Sequence, residues 1–110
     1  MGVPLHQAKA ELFRTLGHPV RVRVLEMLLD GPCPVHKMLG EIDVEASSLS
    51  QQLAVLRRAG LVESMREGGN VVYRLSAPEV AEMMVAARRV LATILSGQSE
   101  LLAELAGTDS

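Results

Sequence analysis

Residues 46–60, ASSLSQQLAVLRRAG, gather Ser47, Ser48, Ser50, Gln51, Gln52, Arg57 and Arg58 in one short stretch, and no Asp or Glu occurs from 46 to 62. Hydroxyls, carboxamides and guanidinium groups are the groups that read base edges. Gln pairs bidentately with adenine, Ser serves donor or acceptor edges, and Arg reaches guanine or phosphate. A carboxylate among them would repel phosphate. The chemistry therefore suits the DNA major groove. The same residue types also make an ordinary solvated helix side, so the elements that would position them decide between the two.

Leu49, Leu53 and Leu56 follow spacings of four and three, the serines at the start can cap a helix, and Gly60 can end one. An amphipathic helix over about 46–59 follows, with its polar side outward. The chain around it has 110 residues, 48% of them apolar and only 2% aromatic, so a core of Leu, Val, Ala and Met is expected within a single domain spanning 1–110. That composition favours helices packed on helices. The formal net charge of −2 gives no global electrostatic case for nucleic acid, although local distribution governs contact. A lone Cys33 excludes an internal disulfide and agrees with a reducing compartment. No apolar run approaches the roughly 20 residues a membrane span needs, and the N-terminus has no leader pattern, so a cytoplasmic protein is expected. There is no Gly-rich phosphate loop, no recognisable nucleophile and base, and no closed metal motif, which argues against an enzyme.

In chain order, residues 4–16 place Leu5, Ala8, Leu12 and Leu16 on one stripe beside Phe13, and Gly17 ends that helix. Pro19 suits the first turn of a second helix running to Gly31, with Val22, Leu25 and Leu29 on one face and Val24 and Leu28 adjoining. Prolines 32 and 34 and Gly40 break the next segment, predicting a short helix over about 34–39. This helix and the polar-faced one after it make a helix-turn-helix. Residues 61–66 and 71–75 have strand content, and EGGN between them supplies residues that accept positive φ. The resulting hairpin over 61–75 is a wing, carrying Arg66, Asn70, Tyr73 and Arg74, with Val62, Val72 and Leu75 covering the core.

From Pro78 a long helix carries Val80, Met83, Met84, Ala87, Leu91, Ile94 and Leu95 at helical period, with Leu101, Leu102 and Leu105 beyond a Gly97 that could bend or interrupt it. Continuous to 105, it would reach roughly 40 Å at ~1.5 Å per residue, against a radius of gyration near ~13 Å for a domain of this size. Its stripe then needs a second surface. A second copy is the simplest supplier, with Leu5, Leu12, Met84, Leu91, Ile94 and Leu95 at the interface. Residues 107–110 are expected to be disordered. The fold expected is mainly α with a small β-hairpin, in the order α-α-α-α-β-β-α, dimeric through its terminal helices.

With that order in place, LFRTLGHPVRVRVLEML resembles the opening signature of the ArsR/SmtB family of bacterial transcriptional regulators. SSLSQQLAVLRRAGLV is similar to that family's recognition helix and following strand, and VESMREGGNVVYRL to its wing. The resemblance covers about residues 10–95. It implies a homodimer on a palindromic DNA operator, often a repressor released by an effector, with recognition helices in successive major grooves about 34 Å apart. By position it places Ser47, Ser48, Ser50, Gln51 and Gln52 at bases or nearby phosphates, Gln52 closest to the leucine face. Arg57, Arg58, Arg66 and Arg74 become phosphate candidates, and Tyr73 packs beneath the wing.

The family's metal positions are mostly lost. Its Cys-Val-Cys pattern aligns with Pro34, Val35 and His36, with Cys33 one position early, and its second site meets Ala77, Glu79 and apolar residues. Cys33 and His36, completed by His6 of a partner copy, form the remaining candidate set for zinc, nickel or copper. His18 belongs to the HP signature, with a structural role at a helix start. Oxidation of Cys33, an organic ligand, control by a partner protein and no small-molecule effector in this chain are the other readings. The competing function is a winged-helix module that binds protein instead of DNA.

Overall fold

The computed structural model describes residues 2–107. The first helix, α1, spans Leu5–Leu16 and buries no residue fully. Leu12 and Leu16 pack against the core, while Leu5 and Phe13 stay 69% and 65% exposed. The HP pair then starts α2, Pro19–Met27: the His18 ring accepts the Val20 N–H at 3.2 Å, and Pro19 occupies the first helical position. That is an N-cap followed by a residue with no N–H to satisfy.

The second helix differs from its sequence pattern. It tightens into a 3₁₀ turn at Leu28–Asp30, and its buried face is Val24, Leu25 and Leu28. Val22 and Leu29 instead line a groove against Met84 and Leu91. Both of these stripes are apolar, so tertiary packing chose between them.

A two-residue strand, β1 at Cys33–Pro34, follows and pairs antiparallel with a later strand. It turns the expected hairpin into a three-stranded sheet. Pro34 is tolerated there because β1 is an edge. The next helix, α3, spans Val35–Glu41 and runs through Gly40 rather than breaking at it. A helical glycine costs only about 1 kcal/mol, and burial of Met38 and Ile42 on either side offsets it.

The helix α4 spans Ala46–Arg58 and seats Leu49, Leu53 and Leu56 in the core. Its N-cap is Glu45, without a side-chain cap bond, so the serines expected to cap it lie inside the first turns. At its other end the Gly60 N–H bonds the Arg57 carbonyl and the Leu61 N–H bonds the Leu56 carbonyl. Gly60 takes φ +80°, which a side chain would strain, and this closure turns the chain back into the sheet.

Strands β2, Val62–Glu67, and β3, Asn70–Leu75, form the hairpin, in the sheet order β1-β3-β2. Gly68 and Gly69 both have positive φ, at 56° and 84°, as a two-residue type I′ turn requires. Val62 and Val72 are buried as expected, and Leu75 packs against the core.

The last helix, α5, runs unbroken over Pro78–Leu105, through Gly97. Of its residues only Val80 is buried, whereas Leu91, Ile94, Leu95, Leu101, Leu102 and Leu105 are 48–75% exposed. The radius of gyration is 17.7 Å and the longest extent 60 Å, well beyond a compact chain of this length at ~13 Å. No helix of the described residues is long and apolar enough to cross a membrane. Of the residues expected to be disordered, 108–110 lie outside the described ones, and Gly107 closes a turn onto the Glu104 carbonyl.

Candidate nucleic-acid interface

With its leucines inward, at about 3.6 residues per turn, α4 points Ser47, Gln51, Ala54 and Arg58 directly outward. Ser47, Gln51 and Arg58 are exposed and Ser48 is half-buried. Two flanks border this ridge. On one, Ser50 and Arg57 face the wing across a cleft of about 380 Å³, which Asn70, Tyr73 and His36 also line. On the other, the half-buried Gln52 accepts a 2.7 Å hydrogen bond from Arg21 Nε, and Arg21 Nη1 donates to the Thr15 carbonyl at 3.0 Å.

Arg21 thus ties the end of α1 to the flank of α4. The sequence reading took Gln52 as a DNA contact and did not single out Arg21, the arginine two residues after the HP pair. Gln52 keeps its amide donors but holds its oxygen toward α2.

The wing separates two arginines that the sequence had grouped. Register pairs Arg66 with Val71 and Glu63 with Arg74, so alternation puts Arg66 on the Tyr73 face and Arg74 on the opposite one. Arg74 lies 3.7 Å from Glu63 and lines a different cleft, with Leu28, Pro32 and Pro78. Among the described residues, no ion pair engages Arg57, Arg58 or Arg66. Tyr73 is 7% exposed and packs in the core, which makes it a support for the cleft. Ser76 Oγ donates to the Gly60 carbonyl at 2.7 Å, joining the end of the wing to the end of α4.

Cys33 and His36 do not converge. Cys33 is 4% exposed and borders a charged cleft with Arg23, Glu26, Asp30, Lys37 and Glu41, whereas His36 opens toward α4 and the wing. The strand-to-helix change between them replaces the helical turn that would have aligned them. Among the described residues no group of three His, Cys, Asp or Glu side chains is placed to hold a metal, and His6 lies exposed on α1. Burial pushes the Cys33 thiol up from its ordinary range; Lys37 pulls it down and Glu41 adds to the rise.

The sequence profile of bacterial regulatory proteins of the arsR family matches residues 18–64, which hold α2, α3, α4 and the start of the wing. The HTH-type transcriptional regulator Rv0081 of Mycobacterium tuberculosis is 46% identical over 103 residues, covering 93% of this chain and 90% of its own. The chain belongs to the ArsR family of bacterial regulatory proteins.

The crystal structure of Rv0081 superposes with a TM-score of 0.83 at 45% identity, over 89% of this chain and 99% of that one. Mb0332 of Mycobacterium bovis, solved in solution as a homodimeric winged helix-turn-helix DNA-binding domain, aligns at TM-score 0.77 and 26% identity, over 84% and 86% of the two chains. A biofilm growth-associated repressor of Agrobacterium fabrum is 38% identical over 77 residues, 70% of this chain and 66% of its own. The winged helix-turn-helix architecture expected from the sequence is the one found, with β1 added to it. This protein is an ArsR-family transcriptional regulator.

Proposed function

We propose that this ArsR-family regulator is a cytoplasmic homodimer that binds a palindromic DNA operator and represses transcription. The observation that carries the reading is the carboxylate-free outer ridge of α4, next to a cleft and wing face whose arginines have no acidic partner among the described residues. Ser47, Gln51 and Arg58 enter the major groove, with Ser48 and Ser50 on its edges. Arg57, Arg66 and Asn70 take the backbone beside it. Gln52, Tyr73 and Arg74 serve as supports, because each is engaged elsewhere in the fold.

The second copy covers the terminal helices. Leu5, Leu91, Ile94 and Leu95 lie open to it, with Leu12 and Met84 half-buried beneath them. The whole of 1–110 then forms one DNA-binding and dimerisation unit. Repression is supported by the relative named as a repressor. A metal at Cys33 and His36 is disfavoured as the effector, since these two face different clefts.

The test is a mobility-shift titration, at moderate salt, of DNA upstream of the protein's own gene against random duplex of equal length. Preferential binding to the former is expected; equal binding to both would count against sequence-specific regulation.

A further inference from the structure

Side chains of α3, α4 and the hairpin converge at the cleft between α4 and the wing, and its polar groups are all capable donors: His36, Ser50, Arg57, Asn70 and Tyr73. No carboxylate lines it. Four other clefts along the described surface each present at least one, such as Glu63, Glu26 with Asp30, or Glu100. His36 and Arg57 are exposed and face this opening from opposite elements.

The geometry of a groove-binding winged helix says what such an opening meets. If α4 enters a major groove and the hairpin reaches the neighbouring minor groove, the sugar–phosphate strand dividing the two grooves must pass between them. That strand crosses over this cleft. It presents phosphate oxygens, which accept from imidazole N–H, guanidinium, hydroxyl and carboxamide donors.

We propose that the cleft seats one DNA backbone phosphate per half-site and that His36, on α3, donates to it together with Arg57. His36 is thereby a nucleic-acid contact rather than a metal ligand. The proposal rests on the reading of α4 as the helix that enters the groove. His36 fixes the protein's register on the duplex without reading sequence, as phosphate contacts do.

The experiment uses full-length protein and an operator duplex enriched by the wild type from a random duplex library. Single methylphosphonates, which remove one phosphate charge, are placed at each position in turn. Affinities are measured for the wild type, His36→Ala, His36→Lys and Arg57→Ala. One phosphate in each half-site should weaken the wild type about tenfold when neutralised, the scale of a hydrogen bond to a charged group. At that phosphate His36→Ala and Arg57→Ala should lose less than the wild type does, and at all others they should lose as much. His36→Lys should restore both affinity and sensitivity. Strictly additive losses at every phosphate would overturn the proposal while leaving the regulator reading intact. A wild type that enriches no sequence would overturn both.

Discussion

The two faces of the wing carry similar residues in opposite electrostatic settings. On one, Arg74 sits against Glu63, and the neighbouring clefted surface pairs Arg23 with Glu26 and Glu41 at 4.0 and 3.8 Å. On the other, Arg66 has no carboxylate within ion-pair distance among the described residues, and neither has Arg57 of α4. A net charge of −2 averages over this difference and conceals it. Exposed ion pairs contribute little to stability, but they do neutralise an arginine toward an approaching polyanion. Position on the sheet, more than residue type, separates an arginine available to phosphate from one already matched.

The largest expected effect removes the support shared by the open face. Leu53 is 2% exposed and floors the α4–wing cleft, so Leu53→Ala should cost about 2–5 kcal/mol, read by chemical denaturation. A loss below ~1 kcal/mol would mean that the cleft has no packed floor.

Next, Gln51→Ala with Arg58→Ala should lower operator affinity about 100-fold or more while leaving circular dichroism and melting nearly unchanged, because both side chains are exposed and each base contact is worth ~1–3 kcal/mol. Unchanged operator affinity would move recognition off the α4 ridge. The same double variant separates the protein-binding alternative, in which partner capture should survive it.

Much of this contrast is legible in the amino-acid sequence. The period of Leu49, Leu53 and Leu56 fixed which side of α4 points outward, and the Gly68–Gly69 pair marked the turn. The split between Arg66 and Arg74 was also readable in principle. A two-residue turn at 68–69 sets the pairing, and alternation then puts 66 and 74 on opposite faces. What could not be read depended on contacts distant in sequence. Strand β1 exists only because β3 offers it an edge, and two prolines around Cys33 disguise it. The choice of Val24 and Leu28 over Val22 and Leu29 was made by what packs on α2, and the Arg21–Gln52 bond spans 31 positions. Serines before a leucine period suggested a cap, but the N-cap is Glu45 and the helix starts at Ala46, as its period predicts.

A smaller effect sharpens the role of the α2 flank. Arg21→Ala removes two hydrogen bonds and should destabilise the fold by about 1–2 kcal/mol without altering sequence preference in a library selection. A changed preference would make Gln52 a base reader oriented by Arg21.

The smallest concerns Cys33. Because its folded thiol is pushed up, mainly by burial, it favours the neutral form, and its contribution to stability is present at neutral pH and lost as pH rises through the raised value. Cys33→Ser should therefore flatten the alkaline end of the stability profile, and native Cys33 should react with iodoacetamide far more slowly than the unfolded chain. Equal labelling rates would place the thiol at the surface.

The most direct measurement is the salt dependence of operator affinity for the wild type, Arg57→Ala and Arg74→Ala. Arg57→Ala should reduce the slope of log K against log salt by about 0.9 for each phosphate contact removed, and Arg74→Ala should leave it within error of the wild type. Equal reductions for both arginines would contradict the account, since the acid beside Arg74 would then have no bearing on how DNA is held.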